Sequence, residues 1–92
     1  MEREWLVYIL ECADGTLYTG ITDDLERRLA AHSRGKGAKY TRGRGPFRLC
    51  YVRKCEDHSQ ALKLELQIKK LKRSEKFSLI KDYVDAAERT EQ

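Results

Sequence analysis

A chain of 92 residues, 40% hydrophobic and 37% charged with a formal charge of +4, has room for one modest core. A chain this short buries about 60 to 65% of the surface it exposes unfolded, which excludes a second domain and places any site at the core's edge. The longest apolar run, Trp5 to Leu10, is far shorter than the roughly 20 residues of a membrane helix, and the acidic start is unlike a signal peptide. One cytoplasmic, membrane-free domain over residues 1–92 is expected, with its core at about 5–85.

Trp5 to Cys12 is apolar at both parities and rich in β-branched and aromatic side chains, as in a strand covered on both faces. Leu17 to Thr22 reads as its partner. Asp14-Gly15 between them marks a tight hairpin. A three-residue loop ending in a Gly15 bulge pairs Cys12 with Thr16 and sets Tyr8 opposite Gly20, so that Tyr8 and Tyr18 share a face. A two-residue Asp14-Gly15 turn sends them to opposite faces. Asp23 with Glu26 resembles a capping box, and Leu25, Leu29 and His32 follow at helical spacing until Gly35.

Ser33 to Pro46 holds four of the six glycines and the one proline and reads as a loop. Phe47 to Lys54 alternates as a third strand. Asp57 or Ser59 caps a second helix with the stripe Ala61, Leu64, Ile68 and Leu71, and after Ser74 a third helix carries Phe77, Ile80, Val84 and Ala87. The fold class expected is α+β in the order ββαβαα, a small antiparallel sheet flanked by helices. Cys12, Cys50 and Cys55 lack C-x-x-C spacing and read as reduced, buried thiols. Gly15 and Gly20 are not followed by lysine and form no P-loop, and His58 near Cys55 reads as chance.

The charge is segregated. Residues 1–26 hold seven acids and one base, residues 27–55 ten bases and no acid, and residues 56–92 eight of each. A cationic block of this kind attracts a polyanion through counterion release. An anionic membrane needs an amphipathic basic helix, which a glycine-rich loop does not form. Arg34, Lys36, Lys39, Arg42 and Arg44, with Tyr40 among them, are therefore candidate nucleic-acid contacts, and a solvated loop is the alternative.

Val7-Tyr8-Ile9, then Tyr18-Thr19-Gly20, then Leu25-Glu26-Arg27-Arg28 and His32, and finally the helix around Glu65 from Ala61 to Lys69 together resemble the GIY-YIG nuclease family. The resemblance spans roughly residues 5–80 and is nearest to small stand-alone bacterial members similar to the structure-specific endonuclease branch. It implies a DNA endonuclease using Mg2+ or Mn2+, with Tyr8 and Tyr18 lining the site, Arg28 on the scissile phosphate, Glu65 on the metal and His32 as an accessory polar group. DNA is the implied partner, DNA repair the implied setting, and the low sequence specificity follows from the lack of a separate DNA-recognition domain. The chain departs from the family pattern in carrying Leu6 where the first motif has glycine, and in containing no asparagine.

A phenol with an ordinary pKa of about 10 needs a cation beside it to hold its phenolate, or a neighbour to relay its proton. Each residue also has a structural reading. Either tyrosine suits a half-buried sheet position, Arg28 and His32 suit the rim of a core, and Glu65 beside an apolar stripe suits an ion pair with a lysine or arginine. Two further functional readings stand beside the nuclease: a DNA-binding module without turnover, and a subunit active only with a protein partner.

Overall fold

The computed structural model describes residues 4–36 and 41–90. Strand β1 (Trp5–Glu11) lies between β2 (Leu17–Thr22) and β3 (Arg48–Cys55) in an antiparallel sheet of order β2-β1-β3. Helix α1 (Leu25–Ser33) follows β2, and α2 (His58–Lys69) and α3 (Arg73–Thr90) follow β3. The α+β class and the order ββαβαα are those expected from the sequence. No helix among the described residues is long and apolar enough to cross a membrane.

The central position of β1 explains its unbroken apolar run. Val7 and Ile9 point to one face and Tyr8 and Leu10 to the other, and all four are fully buried. Val7 and Ile9 join Tyr51, Cys55, Ala61, Ile68 and Ile80 in the main core, which α2 and α3 close. Complete burial of one such aliphatic side chain stabilises by about 1.5 to 3 kcal/mol. The opposite face carries Tyr8, over which α1 and the segment before β3 close through His32 and Thr41. The three cysteines are free and buried.

The hairpin has the three-residue loop. Cys12 N donates to Thr16 O at 2.8 Å, Gly15 N donates to Cys12 O at 2.9 Å, and Gly15 takes the left-handed φ of +84° that favours glycine. Asp14 Oδ1 accepts from Thr16 N, while Oδ2 pairs with Arg44 Nη1 at 2.7 Å. Tyr8 consequently opposes Gly20 and Leu10 opposes Tyr18. The two tyrosines share one face.

Helix ends follow local chemistry, with two departures from expectation. Asp24 rather than Asp23 caps α1, its Oδ1 accepting from Arg27 N at 3.2 Å. Thr22 Oγ1 accepts from Asp24 N and donates to Asp24 O, a turn that moves the helix start one residue on. At the other end Gly35, at φ +73°, and Lys36 donate to the carbonyls of His32 and Ala31. Asp57 caps α2.

The second departure is α3, which starts at Arg73 and buries only Ile80 of the expected stripe. Ile80 is buried, but Phe77 and Val84 stay exposed. Ile80 and the partly buried Leu79 pack on the core, and the Tyr83 ring, as exposed as that of Phe77, meets Tyr51 at 5.4 Å. Phe77 stacks under the Arg73 guanidinium at 4.8 Å. His58 likewise has a place in the fold, its ring lying 4.3 Å from that of Trp5.

A Cβ at Gly20 would lie 2.6 Å from Tyr8 Oη and 2.9 Å from Tyr18 Cε2. Gly20→Ala should therefore destabilise by about 1 to 3 kcal/mol, the usual cost of overpacking, lowering Tm by several degrees in a domain of this size. A thermal melt matching wild type would show that the tyrosines do not close over this backbone.

Candidate active site

Tyr8 comes from the middle of β1, Tyr18 from β2, and Arg28 and His32 from successive turns of α1. The (i, i+4) spacing of the last two aligns them on one helix face. Tyr8 Oη lies 2.9 Å from His32 Nε2, and Arg28 Nε donates to the same oxygen at 3.4 Å. His32 Nδ1 lies 2.9 Å from Thr41 Oγ1. With the imidazole neutral, Tyr8 donates to Nε2 and Nδ1–H donates to Thr41, so each ring nitrogen has a partner of the right kind. Tyr8, His32 and Thr41 are all essentially inaccessible to solvent. The Tyr18 and Phe47 rings pack against His32 at 5.3 and 5.9 Å.

Burial decides the protonation states. It pushes the Tyr8 phenol up to about 12, outweighing the opposing hydrogen bond from Arg28. Tyr8 is thus a phenol, not a stored phenolate. Burial, with the neighbouring Arg28 charge, pushes His32 below its ordinary 6.5 and keeps it neutral. Arg28, hydrogen-bonded to Tyr8 and to Tyr18, is held more firmly protonated. The arrangement is a fixed cation beside a neutral donor–acceptor chain.

Glu65 lies on α2 beside the buried Ala61 and Ile68. Its side chain is only 15% exposed, its Oε2 is 3.5 Å from Lys69 Nζ, and it is close enough to Tyr8 for its charge to disfavour the phenolate. The ion pair expected as its structural alternative is therefore present. Among the described residues no three or more His, Cys, Asp or Glu side chains gather into a metal site. A lone carboxylate suits Mg2+ or Mn2+, which keep several waters and share the substrate's phosphate oxygens, and does not suit a closed zinc site.

Of the expected loop contacts, Arg34, Lys36 and Arg42 are exposed, and Arg44 is engaged by Asp14. Lys39 and Tyr40 lie outside the described residues. Thr41 was not singled out from the sequence. Nothing in a threonine after a basic loop signals that it holds an imidazole nine positions back.

Residues 4–78 match the family model described as GIY-YIG catalytic domain. The UPF0213 protein OB0043 of Oceanobacillus iheyensis is 55% identical over 80 residues, covering 87% of this chain and 93% of that one. Two solution NMR structures are also similar. The UPF0213 protein BH0048 from Bacillus halodurans is 49% identical, with 85% of this chain and 83% of that one covered at a TM-score of 0.57. The protein EF2693 from E. faecalis is 36% identical, with 90% of each covered at a TM-score of 0.61.

Because His32 is held below 6.5, the unfolded chain takes up the proton more readily than the folded one. This contribution to stability is complete above pH 6.5 and lost as pH falls toward the folded value. Denaturation midpoints should fall more steeply from pH 7 to about 5 in wild type than in His32→Gln. Equal slopes would place the His32 titration at its ordinary value.

Proposed function

The chain belongs to the GIY-YIG domain family, whose type is nuclease, and from that premise we propose that it is a divalent-metal-dependent DNA endonuclease of low sequence specificity. The substrate class is structured or single-stranded DNA. The observation that carries this reading is the Tyr8 hydroxyl, bracketed between the Arg28 guanidinium and the neutral ring of His32.

Hydrolysis of a phosphodiester needs a proton acceptor for the attacking water and positive charge around the phosphorus as it becomes pentacovalent. Tyr8 can accept the water's proton on Oη while passing its own to His32 Nε2. The phenol is too basic to be ionised beforehand, which favours this relay over a resting phenolate. Arg28 supplies the fixed charge. Its contact with Tyr8 is long, at 3.4 Å, and gives way when the guanidinium turns to a phosphate, opening Oη to the incoming water.

Tyr18 packs beside this pair and orients the substrate-facing side. Glu65 would hold the ion, whose chemistry there is neutralisation of charge on the phosphate and leaving oxygen. Exposed Arg34, Lys36 and Arg42 supply backbone contacts without sequence readout.

A second reading, a DNA-binding module without turnover, is favoured by the absence of asparagine from the chain, and a subunit that needs a protein partner is consistent with the resemblance to structure-specific nuclease subunits.

Incubation of single-stranded, branched and duplex DNA with Mg2+ or Mn2+ tests both. Wild type should cleave. Tyr8→Phe should reduce the rate by roughly a hundredfold or more, the size of a lost proton-transfer contribution. Glu65→Gln should reduce it by orders of magnitude while binding changes little. Binding without cleavage by wild type would favour the module or the partner-dependent subunit. Full activity in Glu65→Gln would exclude the metal role.

A further inference from the structure

Residues 56–92 balance to zero charge, yet residues 69–76 alone hold five bases and one acid. That acid, Glu75, is occupied at the start of α3, where its Oε1 accepts from Lys72 N at 2.9 Å. Three of these bases, Lys69, Arg73 and Lys76, face the outer side of β2, which pairs with β1 and has no second strand beside it among the described residues.

Two clefts open there. One, of about 350 Å³, is lined by Leu17, Tyr18, Thr19, Lys69 and Lys76. The other, of about 190 Å³, shares Leu17 and Lys76 with it and adds Thr16 and Arg73. Arg73 is fixed by donating from Nη2 to Gly15 O at 2.8 Å. Lys69 is partly offset by Glu65, whereas Lys76 has no carboxylate partner among the described residues.

A third cleft, of about 430 Å³, lies at the opposite end of β2 and is lined by Thr22, Arg27, Arg28 and Arg34, together with Asp23 and Asp24. The Asp24 carboxylate is taken up by capping α1. Tyr18 thus lines the first cleft and Arg28 the third, and these two residues are hydrogen-bonded within the site. At about 3.3 Å per residue, the six-residue strand sets the two cationic ends roughly 17 Å apart.

We propose that the cleft walled by Lys69, Arg73 and Lys76 binds the phosphates of the nucleic-acid strand on one side of the scissile bond, with the Arg27–Arg34 cleft taking the other side. The inference rests on the reading of the Tyr8 site as a nuclease site and adds a substrate path to it. A strand lying along this path would place a few consecutive phosphates between the two cationic ends. Tyr18 sits where the path crosses the site, its ring offering a stacking surface to a base.

The test measures binding of a fluorescent single-stranded oligonucleotide of roughly 20 nucleotides, long enough to span the path, by anisotropy between about 50 and 200 mM salt. Lys76→Gln is compared with Lys81→Gln, an equal loss of charge at an exposed position of α3. Lys76→Gln should weaken binding severalfold and lower the log-log salt slope by about 0.7, the value for one lost single-strand phosphate contact, while Lys81→Gln leaves the slope unchanged. Identical slopes for the two variants, with wild-type binding intact, would overturn the path and leave the nuclease reading standing. The expected slope change without cleavage by wild type would refute the nuclease reading and uphold the binding surface. No binding by wild type would refute both.

Discussion

The register of β1 against β2 is the constraint on which the site depends. One residue of slip would carry Tyr18 to the far face of the sheet, because strand parity is two. Three features hold the register: the left-handed Gly15, the Asp14 carboxylate that ties the turn to Arg44, and the bare backbone at Gly20 over which both tyrosines close. Ala13 N also donates to Arg44 O, so the basic loop is fastened to the hairpin. Arg44, a candidate nucleic-acid contact in the sequence, therefore also ties the hairpin to the segment before β3.

Once Tyr8 and Tyr18 share a face, α1 needs only its ordinary helical period to bring Arg28 and His32 onto them. The consequence is electrostatic. A buried phenol and a buried imidazole are held neutral, with an arginine beside them that is tied to the phenols. Such a chain is satisfied at each atom and contributes to stability, and among the described residues no buried side-chain polar atom lacks a partner. The same chain has a donor, an acceptor and a cation in line, which is what movement of one proton toward His32 requires.

The hairpin, the three strands, the helix stop at Gly35 and the four residues Tyr8, Tyr18, Arg28 and His32 were legible because each rests on local chemistry or on fixed spacing. The start of α1 was not, since Thr22 competes for the backbone of Asp24 and shifts the cap. How little of α3 is buried was not legible, because the helical period marks Phe77 and Val84 as readily as Ile80, and only the position of the helix against the sheet leaves the first two exposed. The β2-edge cations were hidden by summing charge over residues 56–92, where acids on both sides of them in the chain cancelled them. Thr41, as the partner of His32, was illegible, because a contact made from outside the α-helices and strands leaves no period in the sequence.

The central claim is that the Tyr8–His32 pair carries a proton in phosphodiester hydrolysis, and the pH dependence of kcat/KM for DNA cleavage tests it most directly, since that profile reports the ionisations of the free enzyme. With the phenol held near 12 and His32 held neutral, the rate should stay level through neutral pH and fall only on the acid side of 6.5, where His32 takes up a proton. His32→Gln should lose this acid limb along with most of the rate. A rate that instead climbs with pH toward the ordinary phenol value of 10.0, or an acid limb unchanged in His32→Gln, would contradict the account.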